Sequence, residues 1–292
     1  MDFFDKLLPY LLSGISVGGQ YALIAVGYTM VYGILRLINF AHGDVFMVAG
    51  LMMVYAVTWM PLWLAVPFVI VMTVVLGFVI ERVAYKPLRS APRMSVMISA
   101  IGVSYLLQNL ALYVTGGLNK NYPTIPWISD TVSVFGATTK MVTLATPVLT
   151  LVLVVLLVLL INHTKIGMAM RAVAKDFETS TLMGIKINNV ISMTFIIGSF
   201  LAAVGAMPGL KAFVAAVFGG IGSIPGAVIG AFIIGICENI IKGLDTLLVA
   251  YGVIPTGIGL STFADAFTFV LLIIILVFKP TGLFGEKATD KV

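Results

Sequence analysis

Long apolar runs separated by short polar connections are the main pattern of the chain. The run Phe263–Phe278, for example, contains almost no ionisable side chain. A helix needs about 20 mostly apolar residues to cross the ~30 Å hydrocarbon core of a bilayer. The pattern predicts about eight membrane-spanning helices, at Leu7–Leu35, Val45–Met60, Leu62–Ile80, Met94–Thr115, Met141–Ile161, Val190–Ala206, Ala212–Ile241 and Phe263–Phe278.

Two of the connections are basic and indicate which side of the membrane they occupy. The first is Glu81–Arg93 and the second is His163–Lys186, each with four Lys or Arg residues. Both should be cytoplasmic, because Lys and Arg accumulate in cytoplasmic connections. Two predicted spans separate them, as a shared side requires. The intervening connection, Gly116–Lys140, is then predicted to be an ordered external loop.

Composition supports lipid as the solvent of most of the chain. Of 292 residues, 60% are hydrophobic and 10% are charged, whereas soluble domains contain about 25% charged residues. The predicted fold is all-α, a polytopic transmembrane helix bundle forming a single domain over residues 1–292. The net charge of +5 lies mainly in the connections and does not indicate nucleic-acid binding. The one cysteine excludes an intrachain disulfide, and two histidines make no metal cluster.

A polar segment interrupts the first apolar region. Arg36, Asn39, His42 and Asp44 are concentrated between two apolar runs in Gly33–Gly50. Polar groups within a membrane are costly, and they commonly face protein or a water-filled pathway. An ordinary loop in which Asn39 and Asp44 cap helix ends is an equally good interpretation from spacing alone.

The second basic connection has the periodicity of a short amphipathic helix over Arg171–Gly184. Arg171, Lys175 and Glu178 recur on one side, and Val173 and Phe177 lie on another. Such a helix could lie on anionic headgroups or bind a soluble partner. The residues alone favour the headgroup interpretation.

The run Phe218–Gly235 contains six glycines but is not a phosphate-binding loop, because no Lys-Ser or Lys-Thr pair follows them. Gly226 and Gly230 are one helical turn apart, a spacing that lets membrane helices touch along their backbones. Pro225 predicts a broken or re-entrant segment, and broken helices often line cavities.

Other polar residues within the apolar runs suggest helix contacts rather than chemistry. Glu238 and Lys242 are four residues apart and could pair on one helix face. Gln108 and Asn109 could form hydrogen bonds between helices. No nucleophile-and-base motif indicates an enzyme.

Five strings spread over most of the chain resemble the Liv-type permeases of branched-chain amino-acid ABC importers, specifically the smaller of the two permease subunits. The strings are Tyr21–Gly50 with NFAHG, Glu81–Arg89, Ile98–Asn109, Ile166–Ile191, and Pro208–Ala231 with GGIGSIPGA. NFAHG together with GGIGSIPGA is highly specific for this family. Urea and short-chain amide permeases share much of the pattern, so they remain an alternative for the solute.

The resemblance implies a membrane permease that is not an enzyme and that translocates Leu, Ile or Val across a prokaryotic cytoplasmic (inner) membrane. It would pair with a second homologous permease, bind two cytoplasmic ATPase subunits and receive solute from an external binding protein. ATP would bind to the ATPase subunits, and this chain would bind no cofactor and no metal.

The resemblance also implies two sets of functional residues. A coupling segment at about residues 164–187 matches the E-A-A-x-x-x-G core of importer coupling loops at Glu178 and Gly184, with Thr179 and Ser180 in place of the alanines. This match favours docking over a headgroup helix. The coupling residues would be Arg171, Ala174, Lys175, Asp176, Glu178 and Gly184. Residues near the solute path would be Asn39, Phe40, His42, Asp44, Gly219, Gly220, Gly222 and Pro225.

The chain departs from the family between Ala206 and Met207. Family members carry additional residues there, on the order of half to one membrane span, and this chain lacks them. The odd number of spans predicted after Lys186 agrees, since one more pass would return the C-terminus to the cytoplasmic side.

A self-contained secondary transporter or channel, driven by an ion gradient, is the alternative from another class. It would need a buried acidic residue at mid-membrane and an inverted repeat. Glu238 is the one modest candidate for that residue.

Overall fold

The computed structural model describes residues 3–35, 38–89, 91–118, 130–134, 137–205, 209–220, 222–252 and 259–284. Within them the chain forms eleven α-helices and one short β-hairpin. The helices are α1 Phe3–Leu35, α2 Ala41–Trp59, α3 Leu62–Ile80, α4 Arg93–Thr115, α5 Met141–His163, α6 Lys165–Lys175, α7 Phe177–Leu182, α8 Ile187–Gly205, α9 Gly209–Gly219, α10 Ile224–Ala250 and α11 Ala264–Phe278.

Eight helices among the described residues are long and apolar enough to cross a membrane. This confirms the all-α, polytopic fold class. The bounds of most predicted spans agree with those of the helices to within a few residues. One predicted span differs. The run Ala212–Ile241 is divided into α9 and α10, and the break falls at the glycines before Pro225, as the prediction of a broken segment required.

The described helices fall into two compact units. One unit comprises Met1–Ala22, Thr124–Val152 and Val214–Val292, and the other comprises Leu23–Pro123 and Leu153–Phe213. The chain passes between the units within α1, α5 and α9. The single membrane domain stays a prediction.

In the first unit, the first part of α1 packs against α10 through glycines. A Cβ atom placed on Gly235 would lie 2.4 Å from the backbone nitrogen of Gly18. The two helices therefore touch along their backbones, which small residues allow in a membrane. The side chain of Asp245 in α10 accepts hydrogen bonds from the backbone of Leu260 and Ser261 at 2.8 and 3.2 Å, and these bonds fix the entry into α11.

The second unit is built around the antiparallel packing of α3 and α8. Gly77 is so close to α8 that an added Cβ would lie 1.7 Å from the Ser199 hydroxyl oxygen. The helix α2 packs on α3 through a core cluster of apolar side chains, most of them small, namely Ala49, Met53, Ala56, Ala65 and Val69. A π-helical turn, Glu81–Tyr85, and a 3-10 turn, Lys86–Leu88, continue α3 into the first basic connection.

The second basic connection forms two helices, α6 and α7, so the prediction of one helix over Arg171–Gly184 is wrong. Asp176 has an extended backbone, with φ −157° and ψ 117°, and ends α6. Its side chain then accepts hydrogen bonds from the backbone of Glu178 and Thr179 and begins α7. An aspartate at this position favours a new helix start over continuation. Thr164 caps α6 in the same way.

The connection Gly116–Lys140, which the sequence predicts to be external, contains an antiparallel hairpin of strands β1 Thr131–Val134 and β2 Ala137–Lys140, in which Thr131 pairs with Lys140. Residues 119–129 of that connection lie outside the described residues, as do Arg36 and the junction of Ala206 with Met207.

Candidate functional site

The NFAHG segment places buried polar side chains at the start of α2. Asn39, His42 and Asp44 are 4%, 2% and 9% exposed. The Tyr85 hydroxyl donates to Oδ1 of Asn39, and the Gln108 amide donates to Asp44 at 3.0 Å. Phe40 occupies the N-cap, and no side chain caps this helix. The capping interpretation of Asn39 and Asp44 is therefore wrong. Both side chains instead accept hydrogen bonds from other elements, Asn39 from the π-helical turn and Asp44 from α4.

His42 lies deep within the second unit, between α1 and α8. A Cβ on Gly27 would lie 2.1 Å from His42 Nε2, and one on Gly198 would lie 3.4 Å from its Cε1. Gly198 is the twelfth of the 19 residues of α8, about 17 Å along the helix from its start. The imidazole is therefore near the middle of that span. The Tyr28 ring meets it edge-on, with centroids 5.0 Å apart.

The His42 imidazole also has an unusual polar environment. Its Nε2 is buried and has no hydrogen-bond partner among the described residues. Buried polar atoms are nearly always paired, and an exception calls for an explanation. A group that arrives during function, such as water or solute, is one that the location allows.

The Gly-rich break lies in the first unit, where α9 meets α10. Gly219 approaches α10 so closely that an added Cβ would lie 2.0 Å from the Gly226 carbonyl oxygen. Gly220 and Gly222 have φ of +111° and +104°, a region that side chains disfavour. Ser223 caps α10 and Pro225 lies in its first turn, where proline loses no helical hydrogen bond. The glycines thus serve close packing and a chain reversal.

The predicted coupling residues divide between those that shape the segment and those that face outward. Arg171 donates to the carbonyl of Asn162 at 3.2 Å, and Asp176 caps α7. Gly184, with φ +81°, ends α7 through a bond from the Ile185 nitrogen to the Ser180 carbonyl at 3.0 Å, the Schellman arrangement. Ala174 is half-buried, and the outward residues are Lys175 and Glu178.

Two apolar residues at the tip of the coupling segment were not predicted. Leu182 and Met183 are 88% and 78% exposed, directly before Gly184. A shallow open groove beside them is lined by polar residues that include Thr181, Lys186 and Asn188. Sequence periodicity missed this tip because α7 is too short to display a repeating face.

A buried ionic cluster joins the first basic connection to the beginning of α8, which directly follows the second basic connection, and it was also missed. Glu81, in the π-helical turn, has a side chain that is 0% exposed. Its carboxylate accepts from Arg89 and from the Ser192 hydroxyl at 2.8 Å, and Arg89 also donates to Asn188. The two connections therefore lie at the same end of the second unit, as the span parity predicted.

Glu238 and Lys242 form the predicted pair within α10. The Lys242 ammonium donates to Oε1 of Glu238 at 2.6 Å, and the Tyr21 hydroxyl donates to Oε2 at 2.9 Å. Both carboxylate oxygens are thus engaged. No group of three metal-binding side chains occurs among the described residues.

Sequence comparison finds relatives among transport permeases. A family model described as branched-chain amino acid transport system / permease component matches residues 10–208. The permease protein BraD of Pseudomonas aeruginosa is 38% identical over 98% of each chain. The permease protein LivH of Escherichia coli is 38% identical over 99% of each chain. Both are named high-affinity branched-chain amino acid transport system permease proteins.

The alignment with BraD spans 314 residues and is longer than this chain of 292. The relative therefore carries residues without a counterpart here, as the predicted departure requires.

One solved structure shares the fold across almost the whole chain. It is described as a metal-chelate type ABC transporter in an inward-facing conformation, with a TM-score of 0.52 and 16% identity over 96% of this chain and 89% of that one. The family model covers most of the chain, and the sequence identity of 38% extends over nearly the full length of two permeases. Both observations show common descent and not only a shared fold. This chain belongs to the permease-component family of branched-chain amino acid transport systems.

Proposed function

We propose that this chain is one membrane permease of an ABC importer that carries Leu, Ile or Val across a prokaryotic cytoplasmic membrane. The observation that carries the proposal is the near full-length similarity to permeases named for high-affinity branched-chain amino acid transport. The curated relatives compared all carry branched-chain names, which favours these solutes over urea and amides. Like its relatives, the chain is a transport component and not an enzyme.

The solute path is proposed to pass the polar cluster of Asn39, Phe40, His42 and Asp44. An amino acid presents a carboxylate and an ammonium group, which need partners of opposite character when they leave water. Asp44 offers a carboxylate, and His42 offers an imidazole nitrogen that has no partner among the described residues. The cluster thus supplies both kinds of group near mid-span.

The Gly-rich residues Gly219, Gly220, Gly222 and Pro225 are proposed to border the path in the first unit. A helix break exposes backbone groups, and such breaks are tolerated at membrane depth where they are buried in protein or line a water-filled cavity. A second, homologous permease would supply the opposite wall, and an external binding protein would deliver the solute.

The coupling segment, residues 164–187, is proposed to bind a cytoplasmic ATPase subunit. An interfacial helix needs a continuous apolar face toward the lipid. The bend at Asp176 separates α6 from α7, so the segment does not form one continuous helix. Leu182 and Met183 instead project together at a tip that suits a pocket on a partner. ATP would bind to two such ATPase subunits, and this chain would need no cofactor of its own.

An ion-coupled secondary transporter is less favoured. Its proton or cation site would require a carboxylate able to exchange partners, but both oxygens of Glu238 are held by Lys242 and Tyr21. The pair is better explained as a neutralised link between α1 and α10.

Co-purification tests the proposed assembly. The detergent-extracted wild-type chain, coexpressed with the transporter genes beside its own, is expected to retain the ATPase subunits. Gly184→Leu should lose most of the ATPase, because a branched side chain at φ +81° costs about 1–2 kcal/mol and displaces the tip. Gly184→Asn should retain it, since asparagine tolerates the left-handed region.

Gly252→Leu is the matched control. Gly252 has φ +71° and, like Gly184, no atom of the described residues within 4 Å of an added Cβ, but it lies just after α10, outside the coupling segment. Loss of ATPase in both leucine variants would indicate a general folding defect, and retention in Gly184→Leu would contradict the docking role. A wild-type chain that never retains an ATPase would refute the proposed function.

A further inference from the structure

The ionic cluster at Glu81 lies between the two proposed functional regions. On one side, Asn188 belongs to the groove beside the tip of the coupling segment. On the other, Tyr85 ends the same π-helical turn and donates to Asn39 of the polar cluster. Arg89 and Glu81 connect the two sides, so an unbroken series of side-chain hydrogen bonds and one short turn joins the coupling segment to the polar cluster.

The part of this series from Glu81 through Tyr85 to Asn39 is buried, whereas Asn188 is exposed. Glu81 is fully buried and Tyr85 is 3% exposed. Hydrogen bonds to a charged group in such surroundings are stronger than in water. A buried carboxylate that loses its partners is costly, so Glu81 must follow Arg89 and Ser192 when these residues move. The cluster therefore transmits displacement rather than absorbing it.

The local backbone is suited to movement. Glu81–Tyr85 is a π-helical turn at the end of a regular helix, and such turns are rare and often occur at functional sites. Above it, α3 is fixed to α8 by the contact of Gly77 with Ser199. Displacement of the connection that carries Arg89 can change the turn while the helices beyond it remain packed.

We propose that Glu81 and Arg89 form a joint that transmits movement of the coupling segment to the polar cluster through Tyr85 and Asn39. Arg89 is suited to this because two of its nitrogens bind different elements, one the π-helical turn and the other Asn188 at the start of α8. Glu81, Arg89, Tyr85 and Asn188 are positioning residues in this proposal. They adjust the path without contacting solute.

The proposal rests on the proposed function, and it is tested in the reconstituted transporter with its second permease, ATPases and binding protein. Arg89→Lys keeps the charge but removes the planar fork that reaches two partners. Tyr85→Phe removes only the hydroxyl that donates to Asn39. Each is expected to lower solute uptake per ATP hydrolysed about tenfold, the effect of losing one strong hydrogen bond, while ATP hydrolysis stays within about twofold.

Two further variants separate coupling from folding. Asn188→Asp keeps an acceptor for Arg89 and should retain near wild-type coupling, whereas Asn188→Leu should lose it. Arg82→Lys is the matched control, because Arg82 is an exposed arginine of the same turn and should behave as wild type. If Arg89→Lys fails to assemble, Tyr85→Phe and Asn188→Leu decide the question.

The outcomes distinguish the joint from the wider proposal. If Tyr85→Phe and Asn188→Leu leave the ratio of solute uptake to ATP hydrolysis unchanged, whether or not both rates fall, the proposed joint is overturned and the proposed function is not. A wild-type complex without ATP-dependent uptake would overturn the proposed function, and the joint with it.

Discussion

Gly219→Ala is expected to abolish transport and to lower the amount of folded chain severalfold. The added Cβ would lie 2.0 Å from the Gly226 carbonyl oxygen, 2.5 Å from its carbon and 2.9 Å from the Ala227 Cα. All three are backbone atoms, so no side chain can rotate away and α9 must separate from α10. Overpacking of this kind costs about 1–3 kcal/mol or more, and the parted helices also lose their contact.

The measurement is thermal stability of the purified chain together with uptake. Gly102→Ala is the matched control, because Gly102 lies inside α4 and an added Cβ would have no atom within 4 Å in the part of the chain that the structure describes. It should be neutral or stabilising by up to about 1 kcal/mol, the helix preference of alanine over glycine. Normal stability and uptake in Gly219→Ala would contradict the close contact of α9 with α10.

Gly27→Ala is expected to eliminate uptake through a clash with His42. The new Cβ would lie 2.1 Å from Nε2 and 2.6 Å from Cε1 of the imidazole. The ring has little free space to enter, because His42 is 2% exposed and Gly198 of α8 also approaches it, with an added Cβ there 3.4 Å from Cε1. Displacement of the ring would disturb the start of α2 and with it the hydrogen bonds of Asn39 and Asp44.

A second substitution separates packing from polar chemistry at this position. His42→Ser removes the ring and should relieve the clash, so the double variant Gly27→Ala/His42→Ser is expected to recover stability. It should not recover uptake, because the imidazole that the solute path is proposed to require is then absent. Recovery of both stability and wild-type uptake would show that His42 serves packing alone.

Much of the fold could be predicted from the sequence, because lipid imposes a strong constraint on helix length and polarity. The spans follow from long apolar runs, the break follows from Pro225 and the glycines before it, and the pairing of Glu238 with Lys242 follows from their separation by one helical turn. Gln108 was predicted to bond across helices and does so, whereas Asn109 bonds to the Tyr105 carbonyl of its own helix. Spacing cannot distinguish these two outcomes, because neighbouring residues of a helix point about 100° apart and the sequence does not show which direction faces another helix.

The buried joint could not be predicted for a different reason. Glu81 and Arg89 are in one basic connection, and Asn188 and Ser192 lie about 100 residues later in the chain. The sequence predicted only that the first pair lies in a basic cytoplasmic connection, where charged residues are usually solvated. Tertiary contact between the first connection and the beginning of α8 is what buries Glu81. The bend at Asp176 was missed because an isolated aspartate within an amphipathic pattern does not show where a second helix begins.

The central claim, that this chain is half of a permease pair energised by separate ATPases, is tested most directly by uptake in proteoliposomes. Vesicles that contain this chain, the second permease and both ATPases, with ATP inside and leucine-loaded binding protein outside, are expected to accumulate leucine. Accumulation should stop when any component or ATP is omitted and should be unaffected by an ionophore. Leucine uptake by this chain alone, driven by an ion gradient and abolished by an ionophore, would contradict the claim.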